Sequence, residues 1–213
     1  MRLTSRFPPA KNTWMSTELV HQFLSFMMKI DHIQLVFADE KPMKGVDIYD
    51  KVRRDPFTGN VPHLTCDANS KNRYNIFAAI TIKRHGRHIH FEVLEEHGDA
   101  ILFSEFTMIL LRRGVLVPGD IFVVDNCTIH IKGDNEGLQQ ILWEEHGVLM
   151  ITLPPYHPEL TPTELVFRTL LMRMRAQRAR VGSNDFVGDL ICTLGAISVQ
   201  DVIAFFQECG YYK

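Results

Sequence analysis

Two short apolar runs, each followed at once by an acidic residue, constrain the fold of this chain more than any other feature. Residues 33–38 read Ile-Gln-Leu-Val-Phe-Ala and precede Asp39, and residues 121–124 read Ile-Phe-Val-Val and precede Asp125. Short runs rich in β-branched and aromatic residues, without a helical period, predict buried strands. We therefore expect both carboxylates at the carboxyl ends of sheet strands.

The segments around these two strands predict a mixed sheet. Residues 74–83 and 88–94 indicate the two strands of a hairpin whose turn contains Gly86, and residues 148–153 predict one more strand. Apolar residues recur at helical spacing over about 17–29, 100–113, 137–146, 161–179 and 199–207. A hairpin followed by strands that alternate with helices specifies an α/β fold, with a mixed five-stranded sheet and helices on both faces.

Length and composition are those of an ordinary globular chain. It has 213 residues, of which 46% are hydrophobic and 23% charged. We expect an N-terminal arm over 1–16, a main domain over 17–181 and a C-terminal helical extension over 182–213. Residues 41–72 are rich in Pro, Gly, Asp and Asn, so we expect a functional loop or short hairpin pieces inserted there.

Several classes of protein are disfavoured by what the sequence lacks. The formal net charge of −2 gives no whole-chain argument for nucleic-acid binding, so such a function must depend on local charge. There is no C-x-x-C pair, P-loop, G-x-S-x-G elbow or H-E-x-x-H helix. No signal-peptide core or membrane-spanning apolar run occurs, and we expect a soluble protein that is not secreted and has no membrane partner.

A third candidate carboxylate, Glu164, lies at the start of the predicted helix over 161–179. Thr161-Pro162-Thr163-Glu164 has the form of a capping box, in which Glu164 reaches back to the backbone N–H of Thr161. A single Asp after a strand is likewise most often a turn residue. The alternative is that all three carboxylates belong to one site, and a capped first turn would also fix the direction of Glu164.

Three carboxylates on two strand ends and one helix start are a donor set suited to hard divalent cations. Mg²⁺ and Mn²⁺ take oxygen ligands and leave positions open for water and phosphate oxygens. Two such ions activate the attacking oxygen and stabilise the leaving oxygen of an in-line phosphoryl displacement. The residues thus favour a nuclease or a phosphoryl transferase.

Basic residues are concentrated on the helix after Glu164 and around the hairpin. No acid occurs over residues 165–184, and two of the arginines there fall within about 40° of Glu164 on a helical wheel. Such a patch contacts phosphates without reading sequence, although a solvated helix face is the alternative. The candidate DNA contacts are Arg73, Lys83, Arg84, Arg168, Arg175 and Arg178.

Three blocks of the sequence resemble the catalytic domain of the Tc1/mariner and IS630 group of transposases, within the DDE endonucleases. They are Leu-Val-Phe-Ala-Asp-Glu at 35–40, Ile-Phe-Val-Val-Asp-Asn-Cys-Thr-Ile-His at 121–130, and Leu-Pro-Pro-Tyr-His-Pro-Glu-Leu-Thr-Pro-Thr-Glu-Leu-Val-Phe at 153–167. These are similar to the family's hydrophobic-Asp-Glu strand, its Asp-Asn…His block and its Pro-Pro-Tyr-Ser-Pro…Asn-Pro-Ile-Glu block. The likeness covers about residues 17–180.

This resemblance implies a ribonuclease H-like fold over 17–181, with Asp39, Asp125 and Glu164 as the catalytic triad that binds two Mg²⁺ or Mn²⁺ ions. It implies an enzyme that cleaves DNA at transposon ends with water and joins the freed 3′-hydroxyl to target DNA. The enzyme would bind this DNA largely through contacts with the DNA backbone. His130 matches a recurring family His, for which phosphate orientation and packing are both open. Residues 41–72 correspond to a clamp between subunits in some relatives, which would make this chain a homodimer.

The chain departs from the family pattern in two ways. The third block has His157, Thr161, Thr163 and Phe167 in place of the usual Ser, Asn, Ile and Trp, and none of these changes removes a candidate ligand. Relatives carry helix-turn-helix domains ahead of the catalytic domain, whereas roughly 30 residues precede the first strand here, so we expect these domains to be absent.

Two alternative functions follow. One is a catalytically idle, domesticated or truncated relic that binds DNA or protein, and the other is a nuclease of the same fold that cuts RNA–DNA hybrids. The expected location is the nucleus in a eukaryote and the cytoplasm or nucleoid otherwise.

Overall fold

The computed structural model describes residues 14–45, 73–83, 86–95, 99–126, 137–181 and 185–212. The helices in these ranges are α1 Trp14–Met27, α2 Ala100–Arg112, α3 Leu138–His146, α4 Pro162–Val181, α5 Phe186–Gly195 and α6 Val199–Glu208. The strands are β1 Leu35–Lys44, β2 Arg73–Thr81, β3 Ile89–Leu94, β4 Ile121–Val124 and β5 Leu149–Thr152. Single 3₁₀ turns lie at His32–Gln34 and Pro158–Leu160.

The strands form one mixed sheet in the order β3-β2-β1-β4-β5. β2 is antiparallel to both β1 and β3, and β1, β4 and β5 are mutually parallel. The predicted hairpin over β2 and β3 and the predicted five-stranded mixed sheet are therefore confirmed. Two predicted helix ends are also present, since Asp99 caps α2 by accepting from the N–H of Leu102 and Gly147 ends α3 in the left-handed region.

Alternating residues of the strands pack into two cores, one on each face of the sheet. On what we call the front face, residues such as Phe37 and Val123 pack with α1, α4, α5 and α6. On the back face, residues such as Val36 and Phe122 pack with α2 and α3. Helices thus cover both faces, as the alternation of strands and helices predicts.

Strand β1 is longer than the sequence predicts, and Asp39 lies inside it. β2 pairs with β1 along its whole length, up to Lys44 opposite Arg73, whereas β4 ends at Val124 opposite Ala38. Antiparallel pairing therefore carries the strand past the acidic residues where the apolar run stops. The prediction that Asp39 ends its strand was wrong, because β1 continues in its pairing with β2 as far as Lys44. Residues 41–44 of the predicted loop over 41–72 belong to β1, and residues 46–72 lie outside the described residues.

Helix α5 is not predicted from the sequence. Glycines at both of its ends weaken the helical pattern, but Asp185 caps it by accepting from the N–H of Gly188 at 2.9 Å. Both α5 and α6 pack into the front core through side chains such as Leu190 and Phe206. The boundary between 181 and 182 stays a prediction, and the described helices on either side of it share one core.

An ion pair ties α4 to α6. Arg173 donates to Asp201 at 2.8 Å and to the carbonyl of Ala196 at 3.0 Å. Partial burial opposes ionisation of Asp201, but hydrogen bonds from Ser198 and from the Arg173 guanidinium outweigh it and lower the pKa of this carboxyl.

Two other predictions concern the chain start and membranes. The predicted arm over 1–16 falls mostly outside the described residues, since α1 begins at Trp14. Among the residues that the structure describes, no single helix has the length and apolar composition to cross a membrane, and α5 with α6 meets those criteria only as a pair bent by 77°.

Candidate functional site

Asp39 lies in β1 on the front face of the sheet, and Asp125 follows the last residue of the neighbouring strand β4. β1 and β4 are parallel and pair Ala38 with Val124, so the two aspartates are the next residues in register. Because side chains alternate along a strand, Asp39 shares the face of Phe37. Asp39 is 8% exposed, and its Oδ1 accepts from the backbone N–H of Glu40 at 2.9 Å. The two aspartates that the sequence predicted to meet thus follow paired residues of neighbouring parallel strands.

Glu164 lies over the same strand because α4 packs across the front face, against β1 and β2. Its Oε2 accepts from Nζ of Lys41 at 3.2 Å. Lys41 comes two residues after Asp39 in β1, so both side chains leave the strand on the same face. Asp39 and Glu164 are thus on one side of β1, with Lys41 between this strand and the first turn of α4.

The first turn of α4 is built differently from the predicted capping box. The backbone N–H of Thr161 donates to the carbonyl of Pro158 at 3.2 Å, inside the 3₁₀ turn. The hydroxyls of Thr161 and Thr163 are buried and hydrogen-bonded to each other at 2.6 Å. Since the preceding turn takes the N–H that a capping box would use, the Glu164 carboxylate is directed to Lys41, 123 residues away in sequence.

The arrangement fits a hard cation without forming a closed ligand cluster. Among the described residues, no group of three or more His, Cys, Asp or Glu side chains could hold a metal ion as they stand. However, the Lys41 ammonium is already held by Glu164, and it lies 5.7 Å from the ring centre of Phe167. Glu164 therefore already accepts a positive charge, and Asp39, Asp125 and Glu164 carry oxygen donors of the type that Mg²⁺ and Mn²⁺ prefer.

A cavity of about 590 Å³ opens beside Glu164. Its apolar wall includes Leu165, Phe167 and Leu171, and its charged groups include Arg168 and Glu208. Arg168 is exposed and donates to Glu208 at 3.0 Å, so an ion pair joins α4 and α6 across this opening.

Cys209 also lines this cavity, and its thiol is half-buried. Burial, with a smaller contribution from the charge of Glu208, raises the pKa of the Cys209 thiol to about 12. Because the thiolate is the reactive form, this side chain stays protonated and unreactive at neutral pH.

Comparison with known proteins identifies the family. Residues 34–185, well over half of the chain, match the family model of the DDE superfamily endonucleases. The chain belongs to this family. The resemblance inferred from the three sequence blocks is thereby confirmed. No curated protein matches the sequence.

Solved structures of Mos1 transposase share the fold of this DDE superfamily member. The Mos1 mariner paired-end complex with Mn aligns with a TM-score of 0.69 and 15% identity, over 98% of this chain and 63% of that one. The Mos1 catalytic domain aligns with a TM-score of 0.66 and 13% identity, over 98% and 92%. The Mos1 catalytic domain with Raltegravir and Mg gives 0.65 and 14%, over 96% and 92%. The predicted ribonuclease H-like α/β fold is confirmed, and the chain spans 63% of the Mos1 chain in the paired-end complex.

The predicted DNA contacts of this DDE-family chain fall in different places. Arg168 is exposed one turn beyond Glu164, and Arg175 is half-buried further along α4. Arg73 is exposed at the start of β2, opposite Lys44, and so lies at the same end of the sheet as the aspartates. These three residues are placed around the carboxylates or along the helix that carries one of them.

Lys83 lies at the opposite end of the sheet. Its Nζ donates to the carboxylate of Asp120, just before β4, and to the carbonyl of Val115 at 2.6 Å. The structure therefore does not bring Lys83 together with Asp39 and Asp125. Arg84 and His130 lie outside the described residues, and of Arg178 only its place in α4 is described.

Sequence reasoning missed one member of the site, Lys41. Its signal was available, because a residue two positions after Asp39 shares its face if the strand continues. Because the sequence predicts that the strand ends at the acidic residues, it does not predict that Lys41 shares the face of Asp39.

Proposed function

We propose that this chain is the catalytic domain of a DDE transposase, which cleaves DNA and transfers the cut strand in a reaction dependent on Mg²⁺ or Mn²⁺. The observation that carries the proposal is the register of β1 with β4, in which Asp39 and Asp125 directly follow the paired Ala38 and Val124, together with the contact of Glu164 with Lys41 of β1. Membership of the DDE superfamily endonucleases supports it. The Mos1 structures with Mn and with Mg concern that protein, and they support the class of cofactor.

Asp39, Asp125 and Glu164 would hold the metal ions. Two bound ions would activate the attacking water or 3′-hydroxyl and stabilise the leaving oxygen of an in-line displacement. The chain's own contribution is to fix the carboxylates on rigid elements. β1 and β4 set the spacing of the aspartates, and the packing of α4 on the front face sets the position of Glu164.

The DNA backbone would be bound by cations that flank the carboxylates. Arg168 lies four residues after Glu164 and so on the same side of α4, at the opening of the cavity. Arg73 is exposed at the same end of the sheet. Guanidinium groups bind phosphate oxygens in a forked geometry and carry no sequence information by that contact. Lys83, whose ammonium is held by Asp120, is not included in this proposed surface.

A plasmid-nicking assay with Mn²⁺ tests the proposal. Asp125→Asn removes one ligand charge without a change of size, and we expect it to reduce nicking to the level of a reaction without protein. Glu164→Gln should do the same. The matched control is Glu105→Gln, the same exchange at an exposed position of α2 on the back face, which should leave nicking unchanged.

Nicking by Asp125→Asn at the rate of the unaltered protein would overturn the assignment. Salt-dependent DNA binding without metal-dependent nicking, in a folded unaltered protein, would instead identify a binding relic. Preferential cleavage of an RNA–DNA hybrid in the same assay would assign another nuclease of this fold. The homodimer proposed through residues 41–72 is tested separately, by the molar mass of the protein in solution.

A further inference from the structure

We propose that Lys41 is a positioning residue that holds the Glu164 carboxylate in place and competes with divalent metal for it. The inference rests on the proposed function, because it concerns the same carboxylates. It adds a residue that neither the three-acid pattern nor the predicted DNA contacts include.

The geometry connects Lys41 to the site on two sides. Its Nζ lies 3.2 Å from Oε2 of Glu164, and its side chain leaves β1 on the same face as Asp39. The ring of Phe167, one helical turn after Glu164, lies 5.7 Å from the same Nζ. An ammonium that contacts a carboxylate on one side and an aromatic ring on another has a defined position.

Exposure makes this ion pair replaceable. The side chains of Lys41 and Glu164 are 35% and 38% exposed, so the ion pair is partly solvated and contributes little to the free energy of folding. The four-carbon stem of lysine also lets the ammonium move away without a change in the backbone. A divalent cation that binds Glu164 would therefore displace Lys41, and the displaced charge would oppose that binding.

A purely structural role makes a different prediction. If Lys41 only ties β1 to α4, its removal lowers the unfolding temperature and leaves the metal affinity of the folded protein unchanged. If Lys41 competes with metal, its removal strengthens metal binding, and this gain requires Glu164. The two roles are separated by measuring Mn²⁺ affinity in protein without DNA, where catalysis plays no part.

The experiment is isothermal titration of Mn²⁺ into the full chain and its variants. Lys41→Met keeps the length of the side chain and removes its charge, and we expect Mn²⁺ to bind about tenfold more tightly, the size of effect that a nearby like charge produces in a water-like dielectric. Lys41→Arg keeps the charge and should bind Mn²⁺ about as the unaltered protein does. Lys44→Met is the matched control, because it removes the same charge from the opposite face of β1.

A double substitution shows whether Lys41 acts through Glu164. We expect Glu164→Gln to weaken Mn²⁺ binding and Lys41→Met to give no gain in that background. Unchanged or weaker Mn²⁺ binding by folded Lys41→Met would overturn the inference, as would an equal gain in the Glu164→Gln background. If Glu164→Gln itself leaves Mn²⁺ binding unchanged, the proposed metal site fails instead, so the two failures are distinguishable.

Discussion

Replacement of Lys83 by Met should destabilise this protein strongly and leave the DNA affinity of folded molecules unchanged. The Lys83 ammonium donates to Asp120 and to the carbonyl of Val115, and the two side chains are only 19% and 5% exposed. Asp120 also accepts from the backbone N–H of Val117 at 2.8 Å. The pair therefore joins the end of β2 to the loop that leads into β4, at the sheet end opposite the aspartates.

The expected magnitudes are unequal for the two partners. Met matches the length of Lys83 but leaves a nearly buried carboxylate with the Val117 N–H, and loss of one partner of a buried pair costs about 3–5 kcal/mol. In Asp120→Asn the amide oxygen keeps that acceptor role, and the more exposed ammonium keeps the Val115 carbonyl. We expect this exchange to cost about 1–2 kcal/mol. The larger loss is a substantial part of a typical unfolding free energy of about 5–15 kcal/mol.

Urea unfolding followed by circular dichroism at pH 7 measures both losses, and fluorescence anisotropy with a labelled duplex measures DNA affinity. Arg168→Gln is the comparison for binding, because it removes an exposed cation beside Glu164. A Lys83→Met loss below about 1 kcal/mol, or one no larger than that of Asp120→Asn, would refute the buried-pair reasoning. Weakened DNA binding by a Lys83→Met protein of normal stability would return Lys83 to the DNA-contacting surface.

Three further predictions concern the rest of the fold. Because the pKa of Asp201 is lowered in the folded protein, its ionised carboxylate stabilises the fold above the ordinary pKa of an aspartate, and this contribution is lost as pH falls through the pKa of the folded state. Asp201→Asn should therefore lower the unfolding free energy by about 1 kcal/mol at pH 7 and by much less in urea titrations at acid pH. Gly147→Ala should lower the unfolding free energy by about 1–2 kcal/mol in the same assay, since φ is +61° and the new Cβ would lie 3.3 Å from Cβ of Pro118. Peptide mass spectrometry should find Cys209 alkylated at least about tenfold more slowly than the exposed Cys192 at pH 8.

Local patterns were sufficient where a strand's own residues determine its extent. β4 was predicted over Ile121–Val124 and is observed there, because its four consecutive apolar residues are all buried and are bounded by polar residues. The same holds for the hairpin of β2 and β3. The burial of Lys83 could not be predicted from a local sequence pattern. Its partner Asp120 is 37 residues away in sequence, and a lysine in a basic cluster gives no local signal for an ion pair with it.

The second half of β1 shows why the boundaries near the site were harder to predict. Residues 40–44 are polar apart from Pro42 and Met43, and a proline argues against a central strand. The segment remains a strand because β2 pairs with it, with Pro42 opposite Asn75. β4 has ended by that point, so β1 has no further partner on that side among the described residues, and the missing N–H of Pro42 is tolerated there.

This boundary error also explains why Lys41 was missed, and it shows what a list of acids leaves out. Once β1 is known to continue to Lys44, alternation alone places Lys41 on the face of Asp39, and the packing of α4 brings Glu164 to it. A site read only as three carboxylates carries three negative charges, which would repel one another in the absence of metal. The ammonium of Lys41 offsets the charge of one of them, Glu164. If the proposed metal site is correct, its charge balance without metal, and not only its ligand set, should determine how tightly it binds divalent ions.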